Sequence, residues 1–246
     1  MRIVCWNIRA GGGRRIDQIA GQLKRWRPDV VALSEFRATP PSQRLASRLH
    51  DIGLVHQRTT ANPTFATANC LLLASRWPLR RVHVRGTGPE AGRWLIARVD
   101  APTPFTLGTL HVPNMVSGRK YPFLAAVLRI SKRWRAGPAL FAGDTNSGRI
   151  GIDEESPAFT EREEQWIAAM TEAGWPDAYR VLHPRARAYT WYSPNAGNGF
   201  RLDQAFVNQR LLPRLREVRY VWGTASNAER RDALSDHAAM IVDLHD

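Results

Sequence analysis

The first 35 residues place two apolar strands on either side of a helix, and this order restricts the chain to a layered α/β fold. Residues 2–8 predict a strand with apolar side chains on both faces. Apolar residues then recur at helical spacing from 16 to 26, and residues 29–33 predict a second strand that ends at Glu35. A strand, a helix and a strand in succession are the opening of such a fold.

The middle of the chain contains short strand patterns with few helices between them, so we expect much of it to be antiparallel. We find no repeat or linker, and the 246 residues predict one domain, 1–246, of two packed sheets with helices outside. Strands are predicted at 54–58, 69–75, 82–85, 94–99, 105–112, 138–142, 188–192, 200–207, 217–222 and 238–244, and helices at 42–51, 117–135 and from a capping box at 160–163 to 173.

The net charge of +13 favours a polyanionic partner such as nucleic acid. The chain has few lysines (Lys24, Lys120 and Lys132), so its basic charge is almost all arginine. A coding bias toward arginine would give the same charge without any selection for binding. Both interpretations stay open at this point.

Cys5 and Cys70 each lie in an apolar run, which predicts buried free thiols rather than a disulfide. The sequence shows no secretory signal and no apolar run of membrane-spanning length. We therefore expect a cytoplasmic protein that does not associate with membranes and is a monomer.

The strand pattern at 138–142 ends in Gly143, Asp144, Thr145 and Asn146. Gly143 would let a ligand approach the backbone, and in an extended chain Asp144 and Asn146 point to the same side. A carboxylate and an amide placed this way could hold a water beside an anionic substrate. The alternative is an ordinary turn, in which Asp and Asn are common.

Other strand patterns also end in polar residues that an apolar core would not choose. Asp203 is the sharpest case, because apolar residues surround it and a buried carboxylate needs a partner. A histidine is the natural partner, and His237 precedes the last strand. The strand-end residues are Asn7, Glu35, His111 with Asn114, Asp144 with Asn146, Asp203, and Asp236 with His237.

Eight segments in the same order resemble the endonuclease/exonuclease/phosphatase family of Mg²⁺-dependent phosphodiesterases, and the exonuclease III branch of abasic-site endonucleases most of all. This resemblance implies a four-layer α/β/β/α sandwich with the site at one end of the paired sheets. The segments are CWNI, VVALSE, LHVPN, FAGDTN, PAFTEREEQW, AYTWYSP, RLDQAFV and LSDHAAMIVDL.

The resemblance also implies a metal site. Glu35 would be the main Mg²⁺ ligand, helped by Asn7 and Asp236, and Mn²⁺ could replace Mg²⁺. Mg²⁺ prefers oxygen ligands and takes few carboxylates, so this set suits it. Asp144 would orient and deprotonate the attacking water.

The remaining implied roles concern the phosphate. Asn146 would hold phosphate or water, and His237, oriented by Asp203, would donate to the phosphoryl oxygens as charge builds. His111 and Asn114 would reach the scissile phosphate or the leaving group. The alternative for His111 is a core histidine on a strand.

Three residues depart from the abasic-endonuclease pattern and put that specificity in doubt. Arg9 replaces an acid, His111 replaces a tyrosine, and Ser156 replaces an asparagine. On a continuing strand Arg9 would face the metal ligands and bind substrate, whereas a turn at 10–11 would direct it into solvent. In favour of repair, Trp191 and Phe200 flank a Gly/Asn loop as the lining of an abasic pocket would, unless both are ordinary core aromatics.

Three functions therefore compete. The first is a Mg²⁺-dependent DNA endonuclease or 3′ exonuclease that cleaves by water attack on phosphorus, with duplex DNA as the expected partner. The second is a phosphatase or phosphodiesterase for small substrates, which the charge of +13 disfavours. The third is an inactive nucleic-acid-binding protein, which would have no need for the full set of strand-end residues.

Overall fold

A computed structural model describes residues 1–86, 90–223 and 234–245. Each predicted sheet and each long predicted helix has a counterpart in it. The helices are α1 Ile16–Trp26, α2 Pro40–Asp51, α3 Lys120–Arg133, α4 Glu161–Glu172 and α5 Ala178–Leu182; the strands are β1 Arg2–Asn7, β2 Val30–Phe36, β3 His56–Thr59, β4 Cys70–Ser75, β5 Leu79–Arg81, β6 Trp94–Val99, β7 Phe105–His111, β8 Ala139–Asp144, β9 Trp191–Tyr192, β10 Gly199–Phe200, β11 Asp203–Val207, β12 Leu215–Val221 and β13 Ala239–Leu244.

Two large sheets pack face to face. In the described residues the first has the strand order β12-β13-β1-β2-β4-β3 and the second the order β11-β8-β7-β6-β5, while β9 and β10 form a separate short pair. The β1–β2 and β7–β8 pairs are parallel. The other pairs within the two sheets are antiparallel, as the short spacing of the strand patterns predicts.

Alternation along the strands separates three apolar layers. On β1, Ile3 and Cys5 pack between the sheets, whereas Val4 and Trp6 pack against α1 and α2 on the outer face. The outer face of the second sheet is covered by α3 and α4. The order of layers is therefore helices, sheet, sheet, helices, which confirms the predicted four-layer sandwich.

The two parallel pairs bring four strand ends to one edge of the sandwich. Asn7 at the end of β1 pairs in register with Ser34 on β2, and His111 at the end of β7 pairs with Asp144 at the end of β8. Parallel neighbours end at the same edge, so polar residues at their carboxyl ends are brought close together. This edge contains the site.

Several predicted boundaries are wrong. Residues 82–85 alternate in polarity but form no strand, and β5 lies just before them. The predicted strand 188–192 is reduced to β9, and the helix predicted over 117–135 is shorter because Gly118, at φ 68°, ends the preceding turn. The short helix α5 was not predicted.

The predicted strand 200–207 is broken at Arg201, and the cause is tertiary. Arg201 is fully buried, and its guanidinium hydrogen-bonds Asp153 through both of its oxygens and Asp177 through one. The Arg201 backbone N–H donates to the Asp153 carbonyl rather than to a strand partner. A buried arginine needs this many acceptors, and they lie on loops remote in sequence.

Gly143 serves the sheet rather than a ligand. Its φ is 146°, and a Cβ atom at this position would lie 2.0 Å from the carbonyl oxygen of Leu110 on β7. The space that the sequence predicts for an approaching ligand is occupied by the backbone of the neighbouring strand. Gly143 therefore allows β7 and β8 to pair directly before Asp144.

Gly143→Ala should lower the free energy of unfolding by about 2–4 kcal/mol, because it combines a strained φ with a backbone clash. Chemical denaturation measures the loss. Gly21→Ala is the matched control, since Gly21 lies in α1 with no atom within 4 Å of its added Cβ. It should be neutral or stabilising by up to about 1 kcal/mol. Equal stability of the two variants would contradict this account of Gly143.

Candidate active site

A cavity of about 610 Å³ opens at the edge where the parallel pairs end. Most of the predicted site residues line it. Asn7 and Asp203 lie behind the lining and hydrogen-bond to it. The predicted residues in the lining are Glu35, His111, Asn114, Asp144, Asn146, Trp191, Phe200, Asp236 and His237.

Asp144 lies at the centre of the site and is only 2% exposed. Its Oδ2 accepts a hydrogen bond from Asn7 Nδ2 at 3.1 Å, and His111 Nε2 and His237 Nε2 lie 3.6 and 3.9 Å from the same oxygen. Burial raises the pKa of Asp144, and the neighbouring His237 opposes that rise. One carboxylate oxygen thus faces three nitrogen atoms from three strand ends.

Asp144 also shapes the turn that follows it. Its Oδ1 accepts from the backbone N–H of Asn146, which has a φ of 46°. The chain is therefore not extended here, and the premise that Asp144 and Asn146 share a strand face is wrong. The turn still brings Asn146 into the cavity, where its Nδ2 donates to the Val112 carbonyl at 2.9 Å.

His237 and Asp203 form the predicted pair. His237 Nδ1 lies 2.8 Å from Asp203 Oδ2, and both side chains are buried. Burial alone would lower the pKa of His237, but Asp203 and Asp144 outweigh it and raise this pKa to about 10. His237 is therefore protonated at neutral pH, with Nε2 directed toward Asp144.

Unlike His237, the His111 imidazole is neutral at neutral pH. Burial lowers its pKa to about 4, although Asp144 acts in the other direction. Arg93 adds to the lowering and donates from Nη1 to the His111 carbonyl at 3.2 Å. The Asp144 carboxylate is thus flanked by the neutral imidazole of His111 and the charged imidazole of His237. In the same cavity, His111 can act as a hydrogen-bonding group while His237 supplies positive charge.

Glu35 is held at a strand irregularity. The β2–β4 register shifts between Ser34 and Phe36, and Glu35 has a φ of 55°, an unusual value for a residue with a Cβ. Its Oε1 accepts from Asn7 Nδ2 at 3.3 Å and its Oε2 from the Ala10 backbone at 2.7 Å. Strain of this kind accumulates at functional sites.

Asn7 connects the carboxylates, and the turn after it fixes its orientation. Its Oδ1 accepts from the backbone N–H of Arg9 at 3.0 Å, which directs the amide nitrogen to Glu35 and Asp144. The side chain therefore presents a donor to both carboxylates. Its role as a metal ligand, which would use the oxygen, stays a prediction.

Arg9 does not continue the first strand. β1 ends at Asn7, Arg9 has a φ of 51°, and its side chain is 63% exposed. The premise that Arg9 shares a strand face with Asn7 is wrong. Its guanidinium instead lies beside Asp236, with Nε 3.8 Å from Oδ2, so a role in substrate binding stays a prediction.

The donors near Glu35 fit a hard cation. Glu35 and Asp236 both contribute carboxylates to the cavity, and each Glu35 oxygen keeps a lone pair beyond the hydrogen bond it accepts. Among the described residues, no three His, Cys, Asp or Glu side chains form a metal site by themselves. Such a donor set suits Mg²⁺, which takes one or two carboxylates and completes its shell with water and phosphate.

One wall of the cavity is aromatic. The Phe200 ring centroid lies 6.0 Å from that of Trp191 and 5.8 Å from that of Phe159. An isolated bridge pairs Trp191 with His237, so this wall is attached to the charged histidine. Phe159 was missed because its segment was interpreted through the capping box that follows it.

Sequence reasoning also missed four charged residues in the lining, namely Arg93, Arg119, Lys120 and Glu163. Lys120 and Glu163 form a buried ion pair, with Nζ 2.6 Å from Oε1. The rarity of lysine was a usable signal for Lys120, and the capping box marked Glu163. Arg93 follows a glycine just before β6 and carried no signal.

Asp203→Asn should lower the pKa of His237 from about 10 by roughly 1–3 units, because burial remains while a facing charge is lost. NMR titration of the imidazole measures the change. The protonated form of His237 is present below its pKa and is lost as the pH rises through it. Any step that needs protonated His237 should therefore be lost at a lower pH in the variant than in the native protein. His111 serves as the internal control, and a His237 pKa that stays near 10 would contradict the assignment.

Comparison with known proteins adds two sequence matches. The profile of the endonuclease/exonuclease/phosphatase family matches residues 4–237. The DNA repair nuclease APEX1 of Danio rerio is 33% identical over 133 residues, which are 45% of this chain. The chain covers 42% of that relative, less than half of its length.

Solved structures share the fold at low identity. One is the 3′ phosphatase NExo from Neisseria, bound to a product DNA hairpin, with 22% identity, a TM-score of 0.80 and 99% of each chain covered. Another is an AP endonuclease from Archaeoglobus fulgidus, with 20% identity, the same TM-score and the same coverage. At these identities the likeness establishes the fold alone.

Proposed function

Because the chain belongs to the endonuclease/exonuclease/phosphatase family, we propose that it is a metal-dependent phosphodiesterase that hydrolyses DNA by water attack on phosphorus. The observation that carries the proposal is the grouping of Glu35, Asp144, His111 and His237 in one cavity. These groups supply a carboxylate ligand for a metal and a base for the attacking water. They also supply a neutral and a charged nitrogen donor for the phosphate oxygens.

Asp144 is the proposed base. Its oxygens are directed by Asn7 and by the Asn146 backbone, and its raised pKa makes it a stronger base than an exposed carboxylate. It must be ionised to accept a proton, so activity should fall on the acid side of its pKa. Asn146 holds the water or a phosphate oxygen beside it.

His237 is the proposed source of positive charge. Asp203 binds Nδ1 and leaves Nε2 directed into the cavity, where it stabilises the negative charge that builds on the phosphoryl oxygens. His111 and Asn114 reach the scissile phosphate or the leaving oxygen from the end of β7. A charged group that is already oriented needs no reorganisation during the reaction.

Glu35 is the proposed holder of Mg²⁺, with Mn²⁺ as a substitute and with Asp236 and Asn7 as further candidates. When bound, the ion supplies charge for the phosphate and lowers the pKa of bound water. Asn7 and Ala10 orient the Glu35 carboxylate through its two oxygens.

DNA is the proposed substrate on two grounds. A chain of charge +13 attracts a phosphate backbone, and the named relatives are DNA repair and DNA-processing enzymes. The aromatic wall of Trp191, Phe200 and Phe159 supports an abasic nucleotide or a 3′ end as the bound group.

Action as a monomeric single domain within the cell remains a prediction. In the described ranges, no helix has both the length and the apolar character to cross a membrane.

A substrate panel tests the function. Duplex DNA with an abasic analogue, duplex DNA with a recessed 3′ end, RNA, and nucleotide or inositol phosphates are each incubated with Mg²⁺, Mn²⁺ or EDTA. We expect cleavage of duplex DNA with metal and none in EDTA. Hydrolysis of small phosphates without cleavage of DNA would favour the small-substrate function instead.

Asp144→Asn should lower kcat on the cleaved duplex by roughly 10²–10⁴, with little change in DNA affinity. Asp100→Asn is the matched control, because Asp100 follows β6 at the end remote from the cavity and pairs with Arg80. A loss of less than about fivefold in Asp144→Asn would mean that another group activates the water.

Glu35→Gln should lose most activity at low Mg²⁺ and regain part of it at high Mg²⁺, because the amide keeps the shape of the ligand and removes its charge. Activity measured against Mg²⁺ concentration gives the shift. Glu217→Gln, on β12, is the control for loss of an acid elsewhere. An unchanged metal dependence in Glu35→Gln would remove Glu35 from the metal site.

A further inference from the structure

The turn between β7 and α3 exposes two apolar side chains at the mouth of the cavity. Val116 is 94% exposed, the highest value among the large apolar side chains of the described residues, and Met115 is 51% exposed. Both line the cavity, directly after Asn114. Adjacent exposed apolar side chains at the mouth of a cavity mark a candidate contact surface for a partner.

This turn is held in place from both ends. Ser117 Oγ donates to the Asn114 carbonyl at 3.2 Å, and the Gly118 N–H donates to the Met115 carbonyl at 3.2 Å. Gly118, at φ 68°, allows this tight closure. The exposed side chains therefore lie on an ordered support, and less conformational entropy is lost when they bind.

Two arginines connect the turn to the catalytic residues. Glu90 accepts from Arg119 Nη1 at 2.7 Å and lies 3.4 Å from Arg93 Nε. Arg93 donates in turn to the carbonyl of His111. Two guanidinium groups on one carboxylate leave a net positive charge next to the apolar pair, and both arginines line the cavity.

We propose that Met115 and Val116 form a wedge that inserts into the base stack of duplex DNA beside the phosphate to be cleaved. The inference rests on the proposed function. The stacked bases are the apolar part of a duplex, and proteins that unstack them do so with side chains of this kind. Arg93 and Arg119 contact the neighbouring phosphates, which fixes the position of the wedge on the strand.

Fluorescence of 2-aminopurine tests the wedge, because this base becomes brighter when it is unstacked. The probe is placed next to an abasic analogue in one duplex and next to a recessed 3′ end in another, both in EDTA. We expect the native protein to raise the fluorescence. The double variant Met115→Ser with Val116→Ser should lose most of that rise and bind duplex about 3- to 10-fold more weakly.

Two further variants separate insertion from general effects. Val116→Leu keeps an apolar side chain and should retain the fluorescence rise. Val55→Ser removes another exposed valine, 44% exposed, next to His56, which pairs with Ser75 at the end of β4 away from the cavity. It should match the native protein in fluorescence and affinity. The melting temperature of each variant checks that the fold is intact.

The outcomes distinguish the wedge from the function on which it rests. If the native protein cleaves duplex DNA but the double variant gives the same fluorescence and affinity, the wedge is wrong and the nuclease function stands. If the native protein neither binds nor cleaves duplex DNA, both proposals fail. A fluorescence rise that Val55→Ser also abolishes would likewise overturn the wedge.

Discussion

The site depends on one constraint, which is that the Asp144 carboxylate, only 2% exposed, must be satisfied largely by protein groups. An ionised group in this environment is costly unless donors surround it. The groups around it come from both sheets: Asn7, on the first sheet, donates to Asp144 Oδ2, and Asn146, in the turn after β8 of the second sheet, donates to Oδ1. Satisfying this carboxylate therefore also fixes how the ends of the two sheets lie against each other.

The arrangement of the strands follows from the same requirement. An antiparallel neighbour of β1 or β8 in the same place would bring the opposite strand end to this edge. The parallel pairs β1–β2 and β7–β8 instead place Glu35 close to Asn7 and His111 close to Asp144. Antiparallel β11 then presents its first residue, Asp203, to the same edge.

The layers and much of the site could be predicted from the sequence because the signals are local. Alternating polarity places Ile3 and Val4 on opposite faces, and an acid inside an apolar run needs a partner, which is how Asp203 pointed to His237. The other features are tertiary. The orientation of Asn7 is set by a backbone N–H in a turn, and the break at Arg201 by acceptors on distant loops.

The left-handed backbone at Glu35 and Asn146 has a consequence for how this protein can change over time. The conformational cost is of order 1–3 kcal/mol for Glu35 and smaller for Asn146, because asparagine tolerates this region, and a glycine in either place would largely remove it. Selection for heat resistance alone would therefore favour loss of the side chains that line the cavity. Thermal stability and catalytic activity are therefore in conflict at these two positions. A more stable variant of this chain could keep the four-layer fold while losing catalytic activity.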